Sequence, residues 1–229
     1  MANFAIVVAA GQGTRFGSEM PKQFLLLQDR PILAHTLQRF ESAEAIAQVV
    51  VVAAQAWLDY ISREIVERFQ FKKCREIVAG GERRQDSVWA GLQTLKLTST
   101  SLVAVHDAVR PLFSHALLER VLAGCENFDG CIPALALRDT VKQISGQEVT
   151  GTIARETLRL AQTPQAFRSK ILQRAFVAAQ KEQTLGTDEA ALVEKSGGRI
   201  CWVEGEETNL KITTPSDLKI AQAFFQELS

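Results

Sequence analysis

The chain has 229 residues, of which 46% are hydrophobic and 23% are charged, a length that fits one compact domain with an appendage better than two domains. Its 26 basic and 26 acidic residues balance, so the whole chain lacks the basic surface that nucleic acid or an anionic membrane would attract. No apolar run approaches the roughly 20 residues that span a bilayer, and the first, residues 4–10, has no basic leader. We therefore expect a cytoplasmic protein with no nucleic-acid or membrane partner, in which any phosphate binding is local.

The four cysteines are scattered along the chain, at Cys74, Cys125, Cys131 and Cys201. No two of them have C-x-x-C spacing, and none has a neighbouring histidine at the spacing of metal ligands. We predict reduced, mostly buried thiols.

Buried strands alternate with amphipathic helices along most of the chain. Continuous apolar runs at residues 5–10 and 49–54 predict strands that are covered on both faces, as in a parallel sheet. Further strands are predicted at 75–79, 102–106, 130–137 and 199–203, and helices at 32–40, 57–69, 87–95, 114–125, 170–181 and 188–195. The last helix is predicted to begin at Thr214 and Pro215, an N-cap followed by a first-turn proline.

Right-handed β-α-β crossovers place such helices on both faces of the sheet. We predict a three-layer, Rossmann-like α/β fold with a mostly parallel twisted sheet and an active site at the carboxyl ends of its strands.

One segment, residues 139–153, breaks this rhythm. It alternates apolar and polar residues on either side of the turn residues 145–147, which predicts a β-hairpin. We expect a single domain spanning 1–229 with an arm at about 138–160. Because an isolated two-stranded hairpin is only marginally stable, a second subunit is the simplest surface for it to pack on. We therefore predict a homodimer with hooked arms.

The first strand runs into a glycine-rich loop, Ala9-Ala10-Gly11-Gln12-Gly13-Thr14-Arg15. Glycines at this place let backbone N–H groups approach a phosphate. A dinucleotide fingerprint would need glycine where Phe16 stands and an acidic residue where Ala53-Ala54-Gln55 stands. Arg15 and Lys22 instead add two cations beside the loop, which suits a triphosphate. The alternative is a plain tight turn with solvated cations.

Four further polar motifs follow predicted strands or apolar segments. Gly80 to Ser87 would contact a base or ribose, although helix capping alone explains Asp86 and Ser87. The run His106-Asp107-Ala108-Val109-Arg110-Pro111 would bring a metal and a second phosphate together, with a surface ion pair as the alternative. Thr163-Pro164-Gln165 and Asn209-Leu210-Lys211 are polar breaks, and Lys211 is well placed to meet another anion.

Two histidines and the acidic pair Asp188-Glu189 are predicted to lie outside the active site. His35 lies among apolar residues in a helix and is predicted to be structural, and His115 to lie exposed near a helix start. Asp188 and Glu189 are interpreted as helix-capping residues that complement the helix dipole. With no Ser or Cys in a nucleophile elbow, covalent hydrolase chemistry is disfavoured.

Seven motifs, spread in order over essentially the whole chain, resemble those of 2-C-methyl-D-erythritol 4-phosphate cytidylyltransferase. They are Ala9-Ala10-Gly11-x-Gly13-x-Arg15, Pro21-Lys22-Gln23, Gly80-Gly81 to Asp86-Ser87-Val88, His106-Asp107-Ala108-x-Arg110-Pro111, Arg138-Asp139-Thr140, Thr163-Pro164-Gln165 and Asn209-x-Lys211. The resemblance implies transfer of a cytidylyl group from CTP to methylerythritol phosphate, giving CDP-methylerythritol and pyrophosphate for isoprenoid biosynthesis. It also implies a Mg²⁺ requirement and a homodimer with interlocked arms.

The resemblance also implies a role for particular residues. Arg15, Lys22, Arg155 and Lys211 would be catalytic, the first two stabilising the transition state and the last two orienting the attacking phosphate. The nucleotide would be bound by Ala9, Ala10, Gly11, Gly13, Gly81, Glu82, Ser87 and Ala108. The acceptor would be held by Asp107, Arg110, Thr140, Arg155, Thr163 and Lys211, with Thr140 and Arg155 reaching in from the partner's arm. Independently of the resemblance, the place of Asp107 after the fourth predicted strand makes it the predicted metal ligand. Thr14 and Glu82 are small departures from the family pattern.

Three other functions remain open from the sequence. A ribitol 5-phosphate cytidylyltransferase would share the fold and most nucleotide-binding motifs. A nucleotide-binding subunit without turnover is disfavoured by the full set of charged positions. An NAD-dependent oxidoreductase is disfavoured by the missing third glycine and the missing ribose-binding acid.

Overall fold

Strands and helices alternate through residues 2–11 and 20–227, which are the residues that this computed structural model describes. The strands are β1 (Asn3–Ala9), β2 (Leu26–Leu27), β3 (Arg30–Pro31), β4 (Ile46–Ala53), β5 (Cys74–Ala79), β6 (Leu102–Asp107), β7 (Gly130–Ala136), β8 (Val141–Ser145), β9 (Glu148–Ile153), β10 (Arg159–Ala161), β11 (Gln165–Arg168) and β12 (Ile200–Glu204). The helices are α1 (Ile32–Ser42), α2 (Leu58–Tyr60), α3 (Arg84–Thr94), α4 (His115–Gly124), α5 (Ser169–Lys181), α6 (Glu189–Lys195) and α7 (Pro215–Glu227).

Within the described residues, eight strands form the central sheet, in the order β10-β7-β11-β6-β1-β4-β5 with β12 also paired to β7. β1 is parallel to both β4 and β6, and the pairs β4–β5 and β7–β12 are parallel too. Among the described strands of this sheet, only β10 and β11 run antiparallel to the strands they pair with. The predicted mostly parallel, Rossmann-like sheet is confirmed.

Helices cover both faces of the sheet because side chains alternate along its strands. Ala5, Val7 and Ala9 of β1 point into one core, which also holds apolar residues of α1 and α4. Phe4 and Ile6 point into a second core with apolar residues of α3, α5 and α6. These two cores make the three layers and hold the carboxyl ends of the parallel strands at one edge.

Several elements differ from the predictions. The strands β10 and β11 were not predicted. They have only three and four residues, with Pro164 between them, and such short runs do not show a hydrophobic period. The helix predicted at 57–69 is composite: a 3₁₀ turn (Gln55–Trp57), α2 and a π-helix (Ile61–Glu67). It ends before Gln70, whose φ of 56° lies in the left-handed region.

The predicted hairpin is present as β8 and β9, which form a two-stranded sheet of their own. Its apolar side chains Ile144 and Val149 are 67% and 64% exposed. Within the chain, this arm therefore leaves apolar surface uncovered.

All four cysteines are free thiols, with Cys125 and Cys131 buried. In the part of the chain that is described, no helix is both long enough and apolar enough to cross a membrane.

Candidate active site

A cavity of about 190 Å³ lies at the carboxyl ends of β1, β5 and β6, where the sequence predicted the active site. Its lining contains ten of the residues that were predicted to act in catalysis or binding: Ala9, Ala10, Gly11, Lys22, Gly81, Glu82, Ser87, Asp107, Ala108 and Lys211. These residues come from five separate segments, which only the fold brings together. The predicted residues Gly13 and Arg15 lie outside the described residues.

The start of the glycine-rich loop is held by Gln23, a buried residue that follows Lys22. Its Nε2 donates to the carbonyl oxygens of Ala9, at 2.7 Å, and Gly11, at 3.1 Å. Lys22 itself begins a short 3₁₀ turn after Pro21. The loop and the lysine are therefore tied to each other, which gives Lys22 a defined place beside the loop.

The loop after β5 packs tightly between the first loop and α3. A Cβ on Gly80 would lie 2.5 Å from Ser87 Oγ and 2.9 Å from Ala10 Cβ, so only glycine fits there. The helix begins at Arg84, three residues earlier than predicted, because Asp86 accepts a hydrogen bond from the backbone N–H of Arg83 and closes a capping box. Ser87 is therefore buried inside the first turn rather than at its start.

The carboxylate of Asp107 is surrounded by cations at the end of β6. Its Oδ2 lies 2.8 Å from Lys211 Nζ and 3.6 Å from Arg110 Nε, and its Oδ1 lies 3.4 Å from Arg84 Nε. Burial by itself would raise the pKa of Asp107, but Lys211, Arg84 and Arg110 outweigh burial and hold this pKa below its usual range. Asp107 is therefore a fixed negative charge inside a positive pocket.

This surrounding does not fit the predicted role of Asp107 as a metal ligand. Both carboxylate oxygens face cationic side chains, whereas a Mg²⁺ site needs oxygens that are free to bind the ion. Among the described residues, no group of three or more His, Cys, Asp or Glu side chains could hold a metal ion.

Lys211 is placed by the two residues that flank it at positions 209 and 212. The side chain of Asn209 is buried and donates to the carbonyl oxygen of Thr163 at 2.9 Å. The backbone N–H of Ile212 donates to Val109 O at 2.9 Å. The backbone around Lys211 is thus held at the end of β6, and its exposed side chain reaches the Asp107 carboxylate.

Thr163 and Arg110 lie behind the pocket, in a buried network around His106. The Thr163 hydroxyl accepts from the Asp107 backbone N–H at 3.0 Å and lies 3.0 Å from His106 Nδ1. His106 Nε2 faces the carbonyl oxygen of Arg110 at 3.0 Å and must donate to it, so Nδ1 accepts from Thr163. Arg110 Nη1 donates to Asn209 O at 2.7 Å. These contacts orient Asp107 from behind.

His106 makes stability depend on pH. Burial lowers the pKa of His106 to about 3, so the unfolded chain takes up this proton near pH 6.5 and the folded chain does not. Stability should therefore fall on acidification, by roughly 2 kcal/mol between pH 6.5 and pH 5 from this group. His35, whose pKa burial also lowers, acts in the same direction.

We expect His106→Gln to flatten the dependence of the unfolding free energy on pH between 5 and 6.5. Urea denaturation at several pH values measures this slope. An unchanged slope in the variant would contradict the neutral state of His106.

Thr140 and Arg155 are not in the pocket of their own chain. Thr140 is exposed just before β8, and Arg155 is exposed just after β9. The Arg155 guanidinium donates to the backbone carbonyl of Arg138 and lies 3.9 Å from Glu156. These two predicted residues can join the site only if an arm supplies them.

Sequence reasoning missed three residues that shape the site. Gln23 and Arg84 lie within sequence motifs in which the predicted site residues are their neighbours. Glu189 was interpreted as a dipole-complementing residue, but its side chain is buried and Arg84 Nη1 donates to its Oε1 at 2.6 Å. The capping role belongs to Asp188, which accepts from Ala191 N at 2.9 Å. A buried partner for Arg84 has no local signal in the sequence.

A family model described as 2-C-methyl-D-erythritol 4-phosphate cytidylyltransferase matches residues 3–227. The chain is 42% identical over 226 residues to the protein of that name from Geotalea uraniireducens, covering 98% of this chain and 97% of that one. It is 43% identical over 229 residues to the one from Geobacter metallireducens, covering 99% of each.

Solved structures agree with these sequence matches. The crystal structure of the Thermus thermophilus 2-C-methyl-D-erythritol 4-phosphate cytidylyltransferase superposes with a TM-score of 0.81 and 32% identity, covering 99% of this chain and 100% of that one. The 4-diphosphocytidyl-2C-methyl-D-erythritol synthase of Anaerococcus prevotii gives a TM-score of 0.84 and 29% identity, covering 98% of each. The chain belongs to the 2-C-methyl-D-erythritol 4-phosphate cytidylyltransferase family.

Proposed function

We propose that the pocket at the sheet edge is where the cytidylyl group passes from CTP to 2-C-methyl-D-erythritol 4-phosphate, with release of pyrophosphate. The observation that carries this proposal is the juxtaposition of Lys22, the loop at Gly11 and the Asp107–Lys211 pair in one cavity. A triphosphate and a phosphorylated polyol need such a pairing of an anion-binding loop with a second, mixed-charge subsite.

The reaction needs no general base. A phosphate monoester has a second pKa of about 6, so its oxygen is already an anionic nucleophile at neutral pH. The three histidines fit this view, because none of them lines the pocket: His35 bonds to Leu27 O, His115 to Arg39 O, and His106 is buried. The chain's task is to place cations around the attacked α-phosphorus.

Two groups of cations would share that task. Lys22, with Arg15 from the preceding loop, would stabilise the charge that gathers on the α-phosphoryl oxygens and on the leaving pyrophosphate. Lys211 and Arg155 would hold the attacking phosphate, and Asp107 would accept hydrogen bonds from the acceptor's hydroxyl groups. The backbone at Ala9, Ala10 and Gly11 with Gly13 would bind the triphosphate, and Gly81, Glu82, Ser87 and Ala108 the cytidine.

A Mg²⁺ requirement stays part of the proposal, since bound triphosphates commonly carry this ion. Since the described residues include no group of three or more His, Cys, Asp or Glu side chains that could hold it, the ion would enter with the nucleotide.

We also propose that the molecule is a homodimer in which each arm completes the partner's site. Three observations support this arrangement. The hairpin is not part of the central sheet, it exposes Ile144 and Val149, and it carries Thr140 and Arg155 outside its own pocket. A monomer in light scattering at micromolar concentration would contradict the dimer. A cytoplasmic location is proposed as well, and the four free thiols suit it.

Mixing two inactive variants tests the arm directly. If Arg155 acts in the partner's site, a heterodimer of one Lys22→Ala subunit and one Arg155→Ala subunit combines both defects in one site and leaves the other intact. Random mixing should then restore about a quarter of the wild-type activity, since half of the dimers are mixed and each has one intact site of two. No recovery, with heterodimers demonstrated by native mass spectrometry, would place Arg155 in its own subunit's site.

Phosphorus NMR of the products tests the proposed transfer. CTP and methylerythritol phosphate should give pyrophosphate together with the two coupled resonances of a new diphosphate bridge. Formation of CMP instead would indicate hydrolysis. Thermal stabilisation of the protein by NAD⁺ but not by CTP would contradict the proposed transfer and favour an NAD-dependent oxidoreductase.

A further inference from the structure

Glu189 carries a buried carboxylate that helix capping does not explain. An acidic residue in the first turn of a helix usually stays in solvent, where it interacts with the helix dipole. Glu189 is only 1% exposed and points inward, and its Oε1 accepts from Arg84 Nη1 at 2.6 Å. Asp188 already serves as the cap. The buried carboxylate of Glu189 therefore serves as a partner of Arg84 and not as a helix cap.

Arg84 links Glu189 to the active site. Its Nη1 bonds to Glu189 and its Nε lies 3.4 Å from Asp107 Oδ1, so one guanidinium joins two carboxylates. The planar, many-donor guanidinium is suited to such bridging. Arg84 and Asp107 line the pocket, whereas Glu189 does not. Glu189 thus acts on the pocket only through Arg84.

A second set of bonds fixes the loop before α6 to the start of α3. Gln85 Nε2 donates to Thr184 O at 3.2 Å, and Gln85 Oε1 accepts from the Gly186 N–H at 3.1 Å. The Gln85 side chain therefore also holds the segment that carries Glu189 against the segment that carries Arg84. The ion pair is set in place by the fold before any substrate binds.

If Glu189 were absent, the triphosphate of a nucleotide bound in the same pocket could become the partner of Arg84. A bound triphosphate attracts guanidinium groups strongly and offers bidentate partners. We propose that Glu189 is a positioning residue that holds Arg84 against Asp107 and away from the nucleotide phosphates. The Asp107 carboxylate then keeps the orientation in which it receives the acceptor's hydroxyl groups. This inference rests on the proposed function of the pocket.

The test compares Glu189→Gln with Glu194→Gln, a matched control at an exposed position of the same helix. Glutamine keeps an acceptor for Arg84 and removes the charge. We expect Glu189→Gln to raise the KM for methylerythritol phosphate about ten-fold, within the range of coupling between residues in contact, and to change kcat and the KM for CTP less than about three-fold. The control should match the wild type.

A double variant separates positioning from a general structural effect. If Glu189 acts through Arg84, adding Glu189→Gln to Arg84→Met should change the acceptor KM less than about two-fold. The full ten-fold effect in the Arg84→Met background, or equal rises of both KM values in Glu189→Gln, would overturn the inference. If Glu189→Gln folds poorly, Arg84→Lys, which cannot bridge both carboxylates, should show the same selective rise.

The wild-type enzyme distinguishes failure of the inference from failure of the proposed function. Wild-type turnover with normal kinetics of Glu189→Gln would overturn only the positioning role. Absence of wild-type turnover with CTP and methylerythritol phosphate would overturn the proposed function and this inference with it.

Discussion

Replacing Lys22 by alanine is expected to lower kcat by about two to three orders of magnitude, the scale of losing one preorganised electrostatic partner. The physical reason is that Lys22 lines the cavity beside the loop that Gln23 fixes, where negative charge gathers during phosphoryl transfer. Steady-state pyrophosphate release measures kcat, and thermal denaturation checks that the fold is retained.

Lys219→Ala is the matched control for this variant. Lys219 is an exposed lysine on α7 and is not part of the cavity lining. Its replacement should leave kcat unchanged. An equal loss of kcat in the two variants would show that the effect of Lys22 is not specific to the site.

Asp107→Asn is expected to affect both stability and acceptor use. The change leaves Arg110, which is buried, without its compensating charge, and breaking a buried pair in this way costs about 3 kcal/mol. The kcat/KM for methylerythritol phosphate should fall on the order of 100-fold, since hydrogen bonds to a charged group are lost. Urea denaturation and initial rates at varied acceptor concentration measure the two effects.

Asp59→Asn, at an exposed position of α2, should change neither quantity. If Asp107 were instead a ligand of Mg²⁺, the Mg²⁺ concentration needed for half-maximal rate would rise steeply in Asp107→Asn. We expect that concentration to stay close to the wild-type value.

The fold could be predicted because its signals are local. The sequence has four consecutive valines at 49–52 and an apolar run at 5–10. A strand with apolar side chains on both faces has to be covered on both faces, and this is typical of a parallel sheet. The arm was equally clear from its period of two. The strands β10 and β11 were missed because their place in the sheet depends on pairing with β7, a contact that no local pattern encodes.

The site could be predicted only in part, for a related reason. Glycines and cations after strand ends mark the residues that face a ligand, and the cavity brings these together. The partners that orient them from behind carry no such mark: Glu189, which holds Arg84, is 105 positions away from it in the sequence. The metal role of Asp107 was predicted from a carboxylate at the end of a strand, whereas two of its three cationic neighbours, Arg84 and Lys211, are distant in the sequence.

Pyrophosphate release by the purified protein, with CTP and Mg²⁺ and with either methylerythritol phosphate or ribitol 5-phosphate, tests the central claim most directly. The same assay with ATP or UTP in place of CTP tests the choice of nucleotide. We expect release with CTP and methylerythritol phosphate alone. Release only with ribitol 5-phosphate would contradict the assigned acceptor, and no release with either acceptor would contradict catalysis at this site.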